Sequence, residues 1–241
     1  MRVEHIGNAT LILADCMDIM RDMPDKAFDL AIVDPPYGIR RLSVEEHIDP
    51  ESKFRRSMSR MVDSANAWNS SKPTQAYWDE LFRISKEQII WGANNFTLPE
   101  SEYFCVWDKM QTVDNFASAE LAWVSMNEWK KPAKVFRYQI HKCASVDGDK
   151  IHPTQKPVAL YKWLLKNYAK PGNKILDTHG GSGSSVIACL DMGYEIMWIE
   201  KDVNYFEAAL KRIKDFAAQP KLPMDDTPEP VEQWLGFEEE L

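Results

Sequence analysis

Residues 173–200 read NKILDTHGGSGSSVIACLDMGYEIMWIE, and this stretch decides the fold. Asn173–Asp177 is a short apolar run closed by an acid, the pattern of a buried strand. Thr178-His179-Gly180-Gly181-Ser182-Gly183 follows as a turn of small residues that lets a ligand approach the backbone closely. Ser184–Met192 reads as a helix and Glu195–Ile199 as a second strand, ending at Glu200. A β-loop-α-β unit with an acid about twenty residues past its glycine turn suits a ribose, whose hydroxyls the acid accepts. Dinucleotide folds are the rival, but Val186 stands at the third glycine position counted from Gly181, so the full GxGxxG spacing is missing. The unit therefore fits a nucleoside that carries no pyrophosphate.

Outward from this unit, short apolar runs alternate with amphipathic stretches. Strands are predicted at Ala9–Ala14, Phe28–Val33, Gln88–Trp91, Tyr103–Trp107, Leu121–Ser125, Lys174–Leu176 and Glu195–Ile199, with a further one over Val135–Gln139. Helices are predicted at Thr74–Lys86, Val158–Ala169, Ser184–Met192 and Val203–Ala217. Pro157 before the second helix and Pro171-Gly172 after it serve as start and stop signals. Strands interleaved with helices predict an α/β fold built on an open twisted sheet. Two stretches break the rhythm. Residues 38–73 carry Gly, Ser, Pro and charge without periodicity, which predicts a mobile functional loop. Residues 126–153 are basic and aromatic, then rich in turns. One α/β domain over residues 1–219 and an acidic tail over 220–241 complete the expected organisation.

The run Phe28-Asp29-Leu30-Ala31-Ile32-Val33 delivers Asp34-Pro35-Pro36-Tyr37 to the carboxyl end of a strand, where open α/β sheets bind ligands. An exocyclic amine on adenine or cytosine is a poor nucleophile because its lone pair is delocalised into the ring. A carboxylate accepting one N–H and a backbone carbonyl accepting the other localise that pair. Asp34 supplies the first and Pro35 the second. Pro35 and Pro36 fix φ, so both acceptors are in place before substrate arrives. Tyr37 offers a flat face to a flipped base. The plainer reading, a strand closed by a turn with a half-buried Tyr, would be preferred for a bare Pro-Pro-Tyr.

The chain has 241 residues, 44% hydrophobic and 27% charged, enough for one α/β domain with a sizeable core. No apolar run approaches a membrane span, and the N-terminus has no signal-peptide layout, so a cytoplasmic protein is expected. Cys16, Cys105, Cys143 and Cys189 form no CxxC pair and read as reduced thiols. His179 shows no ligand spacing with His5, His47, His141 or His152, so no metal is assigned. The net charge of −8 is concentrated at the C-terminus. Residues 224–241 hold seven acids and no Lys or Arg, and the remainder has 29 basic against 30 acidic residues. Lys53, Arg55, Arg56 and Arg60 form one basic cluster, and Lys130, Lys131, Lys134, Arg137 and Lys142 another. Alone they are solvated surface; beside nucleic-acid chemistry they become candidate phosphate contacts.

Together these segments resemble the β class of DNA amino-methyltransferases, in which the catalytic tetrapeptide precedes the glycine loop, as here. The resemblance covers most of residues 8–215. It implies a Rossmann-like fold dependent on S-adenosylmethionine (AdoMet), with about seven strands in a mixed sheet, helices on both faces and a permuted motif order. By resemblance, Asp15 in Ala14-Asp15-Cys16 reaches the cofactor's adenine. Lys156 in His152-Pro153-Thr154-Gln155-Lys156-Pro157 contacts its methionine carboxylate region. Asp177 and Gly181-Ser182-Gly183 form the cofactor loop, and Glu200 holds the ribose. Trp91-Gly92-Ala93-Asn94-Asn95 is similar to a strand end that shapes the target pocket. Thr178-His179 replaces the family's Pro-Phe, leaving His179 to cover the cofactor.

The implied activity is methyl transfer from AdoMet to N6 of adenine in double-stranded DNA, in a restriction–modification setting. Asp34 favours adenine, since Ser is common at that position in the cytosine-N4 group. Cytosine-N4 methylation, RNA adenine-N6 methylation and a catalytically silent DNA-binding subunit are the alternatives. Few residues are free to read bases, which points to a short recognition sequence, loose specificity or a homodimer.

Overall fold

The computed structural model of the protein describes residues 1–38, 71–111, 117–125, 133–139, 151–152 and 154–219. Among these, one sheet has nine strands. They are β1 (Arg2–Ile6), β2 (Ala9–Leu13), β3 (Phe28–Val33), β4 (Ser85–Trp91), β5 (Phe104–Asp108), β6 (Ala119–Val124), β7 (Lys134–Arg137), β8 (Lys174–Asp177) and β9 (Glu195–Glu200). Their order is β1-β2-β9-β8-β3-β4-β6-β5-β7. The middle run from β2 to β4 is wholly parallel, whereas β1 and β6 run antiparallel to their neighbours. The sheet is mixed, as expected, but larger than about seven strands. Strand β1 is not among the predicted strands, because RVEHI is largely exposed and not apolar; its pairing with β2 and contacts to the helix Val203–Ala217 order it.

Among the described residues five α-helices cover the sheet: α1 (Cys16–Met20), α2 (Gln75–Ile84), α3 (Val158–Tyr168), α4 (Ser184–Met192) and α5 (Val203–Ala217). Helix α2 ends at Ile84, two residues short of the predicted Lys86, and β4 begins at Ser85 without a loop. A helical pattern running directly into a strand gives no turn residue to mark the boundary. Successive side chains of a strand face opposite sides. Leu30 and Ile32 therefore join the core under α3, α4 and α5, while Ala31 and Val33 pack toward α1 and α2.

That division positions the site. The connection from β8 enters α4 on one face, and the next described helix after β3 is α2, on the other. Adjacent strands β8 and β3 thus send their chains to opposite sides, opening a crevice at their carboxyl ends. Among the described residues no helix is long and apolar enough to cross a membrane, and no His, Cys, Asp and Glu group gathers to hold a metal. Cys16, Cys105 and Cys189 are free thiols.

Candidate active site

A cavity of about 500 Å³ lies over the carboxyl ends of the parallel strands. Asp15 follows β2, Asp34 follows β3, Thr178 to Ser182 follow β8, and Glu200 ends β9; all line it. Eight of the sequence-predicted site residues therefore converge on one space: Asp15, Asp34, Pro36, Lys156, His179, Gly181, Ser182 and Glu200. Gly183 caps α4 with φ +73°, and Tyr37 lies behind Asp34.

The glycine loop is shaped by what lies beneath it. A Cβ on Gly180 would enter the indole of Trp198, and one on Gly183 would come within 2.8 Å of Ile213. The loop is consequently pressed onto β9 and α5, and its upper surface is open to a ligand. Glu200 accepts from the Gly181 amide and from the Asp202 amide, each at 2.8 Å. Arg212 on α5 donates to the Ser182 carbonyl at 2.8 Å. Asp177 is buried and accepts from the Ser185 hydroxyl at 2.6 Å and from the His179 amide at 3.1 Å. Burial outweighs those bonds and pushes its carboxyl up to about 7. His179 is held neutral: desolvation lowers its imidazole to about 3, and its Nδ1 sits 2.9 Å from the Thr178 hydroxyl. Its ring meets that of Tyr77 edge-on. Asp15 accepts from the Met17 amide and so caps α1, while the rest of the carboxylate faces the cavity.

The tetrapeptide side is built from charge. Tyr37 donates its hydroxyl to Asp34 Oδ1 at 2.6 Å. The Lys156 ammonium lies 2.5 Å from Asp34 Oδ2, 3.1 Å from Glu120 Oε2 and 5.5 Å from the centre of the Trp91 ring. Lys109 closes the chain at 2.5 Å from Glu120 Oε1. The Lys156 side chain is only 2% exposed. Burial alone would discharge it, but Asp34 and Glu120 outweigh burial and raise its pKa. Glu120 is likewise held well below the ordinary carboxylate range, because Lys156 and Lys109 overcome its desolvation. The resemblance puts Lys156 at the methionine end of the cofactor. Lys156 lines the cavity wall beside Asp34, where its ammonium also faces the two carboxylates and, at 3.5 Å, the Tyr37 hydroxyl.

Sequence reasoning missed Glu120 and Lys109, and the reason is topological. Strand β6 runs antiparallel to β4, so its beginning returns to the rim where β4 ends; Gly92 donates to the Leu121 carbonyl at 2.9 Å. Strand β5 runs out to the same rim and delivers Lys109. Nothing local in Ala119-Glu120-Leu121 signals this. The WGANN segment does reach the site. Gly92 adopts φ +71°, and a Cβ there would enter the Tyr37 ring, so this glycine leaves the space that the ring fills. Phe96 meets Tyr37 edge-on at 6.0 Å.

The basic clusters fare differently. Lys53, Arg55, Arg56, Arg60, Lys130, Lys131 and Lys142 lie outside the described residues, as do most of segments 38–73 and 126–153 and the tail. Lys134 and Arg137 are on β7, and they do not share a surface. Alternation puts Lys134 on the side of Phe136, which packs toward Trp163, and Arg137 on the opposite side, 3.4 Å from Asp108.

Residues 64–211, more than half of the chain, match the family model for the N6/N4 DNA methylases. The chain belongs to that family. The match begins beyond Asp34-Pro35-Pro36-Tyr37, so the tetrapeptide is an observation independent of it. The type II methyltransferase M.HinfI of Haemophilus influenzae is 22% identical, over 88% of this chain and 70% of its own. The PvuII DNA methyltransferase, cytosine-N4-specific, shares the fold with a TM-score of 0.52 at 13% identity, covering 87% of this chain and 91% of that one. TTHA0409 of Thermus thermophilus, solved in complex with S-adenosyl-L-methionine, has a TM-score of 0.50 at 15% identity, covering 86% and 95%. This DNA methylase thus has the fold of AdoMet-dependent enzymes, with its tetrapeptide and glycine loop on adjacent strands.

Proposed function

We propose that this methylase transfers the methyl group of AdoMet to N6 of adenine in double-stranded DNA, with the base flipped onto Asp34-Pro35-Pro36-Tyr37. One observation carries the reading: the Asp34 carboxylate and the open glycine loop face a single cavity from neighbouring strands. The cavity has the size of a small-molecule site, and its loop is a cradle that side chains beneath it would not tolerate changing. AdoMet, when bound, supplies a methyl group activated on a sulfonium. Glu200 takes the ribose hydroxyls, Asp15 the adenine end, and Asp177, His179, Gly181, Ser182 and Gly183 enclose the remainder.

Asp34 accepts one N–H of the target amine, and the Pro35 carbonyl accepts the other. Its bonds from Tyr37 and Lys156 leave acceptor capacity, since the two carboxylate oxygens carry about four lone-pair sites. Those bonds also hold the carboxylate still, so no reorganisation is needed when charge develops on the amine. The choice of adenine over cytosine rests on Asp at the first catalytic position. Phosphate contacts fall to the two basic clusters, with Arg137 exposed on the edge strand β7.

Incubation of the full chain with AdoMet and plasmid duplex, followed by nucleoside mass spectrometry, tests the reading. N6-methyladenine is the expected product. N4-methylcytosine alone overturns the base assignment, methylation of RNA alone overturns the nucleic acid, and no transfer to either overturns the enzyme. Calorimetry should show binding of AdoMet and S-adenosylhomocysteine but not of NAD.

A further inference from the structure

Asp34, Lys156, Glu120 and Lys109 form an alternating row of charges, negative, positive, negative, positive, with contacts of 2.5, 3.1 and 2.5 Å. Lys156 is the most enclosed of the four, with its side chain 2% exposed. Among the described residues, Glu120 Oε2 is buried and faces no donor except the Lys156 ammonium, outside ideal hydrogen-bond geometry. A carboxylate oxygen buried in this way is costly unless its pairing with the ammonium offsets the lost hydration.

A lysine with one carboxylate partner forms a closed pair, and the anion's charge is spent on it. A second carboxylate on the far side of the ammonium draws the positive charge back and leaves the first anion a stronger acceptor. Glu120 stands on that far side. The β6 alternation puts Glu120 on the same face as Ala122 and Val124, under the segment that leads into α3. Asp34 shares the parity of Leu30 and Ile32 and meets Lys156 from the same side. The geometry is therefore set just past the end of β3, on β6 and in the segment that leads into α3.

We propose that Glu120 is a positioning residue for methyl transfer: by sharing Lys156 with Asp34, it sets the orientation and acceptor strength of the Asp34 carboxylate toward the target amine. The inference rests on the reading of Asp34 as the group that accepts the amine. Glu120 itself touches neither base nor cofactor; it does not line the cavity.

The test is single-turnover and steady-state methylation by Glu120→Gln, with Glu120→Asp beside it. Glu120→Gln keeps the shape and removes the charge. Its kcat should fall about tenfold or more, the order expected when a reacting group is displaced slightly. AdoMet affinity should be unchanged. Glu120→Asp retains the charge and should recover part of the loss. A merely structural role would not alter the pH profile, but this one does. The groups around the ammonium are Asp34 and Tyr37 after β3, Glu120 on β6, Lys109 after β5, Tyr161 on α3 and Asp177 on β8. Of these, Asp34 and Glu120 are the ones that raise the Lys156 pKa, so removing Glu120 lets Lys156 lose its proton at lower pH. The alkaline limb of kcat should move to lower pH in Glu120→Gln. Wild-type kcat with an unmoved alkaline limb overturns the proposal. If Glu120→Gln does not fold, Lys156→Met and Lys156→Met with Glu120→Gln decide it, because both buried charges are then removed together. Without Lys156, loss of Glu120 should have no further effect on kcat; additive losses overturn the proposal. A wild-type protein that transfers no methyl group would instead defeat the underlying reading of the site.

Discussion

The two halves of the cavity solve the same problem of burial in opposite ways. On the cofactor side, Asp177 is pushed toward its neutral form, His179 is kept neutral, and Glu200 is satisfied by two backbone amides. On the target side, buried Lys156 and partly buried Glu120 are held charged, because each has opposite charges on both flanks. Burial thus discharges groups where the partners are neutral dipoles and preserves charge where the partners are ions. A cavity that is to receive a cationic cofactor and activate a neutral amine needs both environments. On the proposed reading, the cofactor meets a loop of dipoles and the amine meets a carboxylate held by Tyr37 and Lys156.

Two glycines sharpen the contrast, and they carry the largest expected effects. Gly180 lies against Trp198 and Gly92 against Tyr37. Gly180→Ala should abolish AdoMet binding, since the loop must lift off β9. Gly92→Ala should leave AdoMet binding intact, lower transfer and cost about 2–5 kcal/mol of stability, from left-handed strain plus overpacking. Calorimetry and thermal unfolding of both variants check this, and loss of AdoMet binding in Gly92→Ala would break the division. Next in size is Glu200→Ala, which should weaken AdoMet by roughly 1.5–3 kcal/mol because ribose hydroxyls lose a charged acceptor. An unchanged dissociation constant would place the ribose elsewhere.

Smaller again is the effect at Tyr37. Tyr37→Ala should lose roughly 1–3 kcal/mol of base stacking. Tyr37→Phe keeps the ring but gives up the bond to Asp34, and should retain most activity. A mispaired target should restore part of the alanine loss, since flipping then costs less. Fluorescence of 2-aminopurine at the target position reads this out, and equal losses in Phe and Ala would remove the stacking role. A pH effect is expected at Asp177. Its carboxyl in the folded protein stands near 7, above the ordinary value, so its contribution to stability is complete below about pH 4 and is lost as pH rises through 7. Asp177→Asn should therefore gain stability relative to wild type between about pH 5 and pH 8. The same difference in melting temperature at both pH values would contradict the raised carboxyl.

How much of this was legible in the sequence follows from the same comparison. The cofactor half is local: Asp177, the glycine loop and Glu200 lie within one β-loop-α-β unit, and small residues at a strand end announce it. The strand before Asp34 was legible for the same reason. The target half is assembled across the chain, from the ends of β3 and β4, the start of β6, the end of β5 and the entry to α3. Glu120 in an otherwise ordinary strand and Lys109 after another carry no local signal; only antiparallel return of β6 brings them to the rim. Lys156 was found through resemblance, but its partners were not. The Lys134 and Arg137 pair shows the converse error, since proximity in sequence suggested one surface and strand alternation divides it.

The central claim is that Asp34 serves chemistry and the glycine loop serves the cofactor. Single-turnover methyl transfer by Asp34→Ala at saturating AdoMet tests it most directly, with melting temperature recorded on the same protein. The rate constant should fall by at least about 10²-fold, the lower end for a positioned acid–base or charge-stabilising group, while the protein stays folded and still binds cofactor and DNA. A rate that returns to wild type once AdoMet saturates, or that falls only in proportion to the folded fraction, would contradict it.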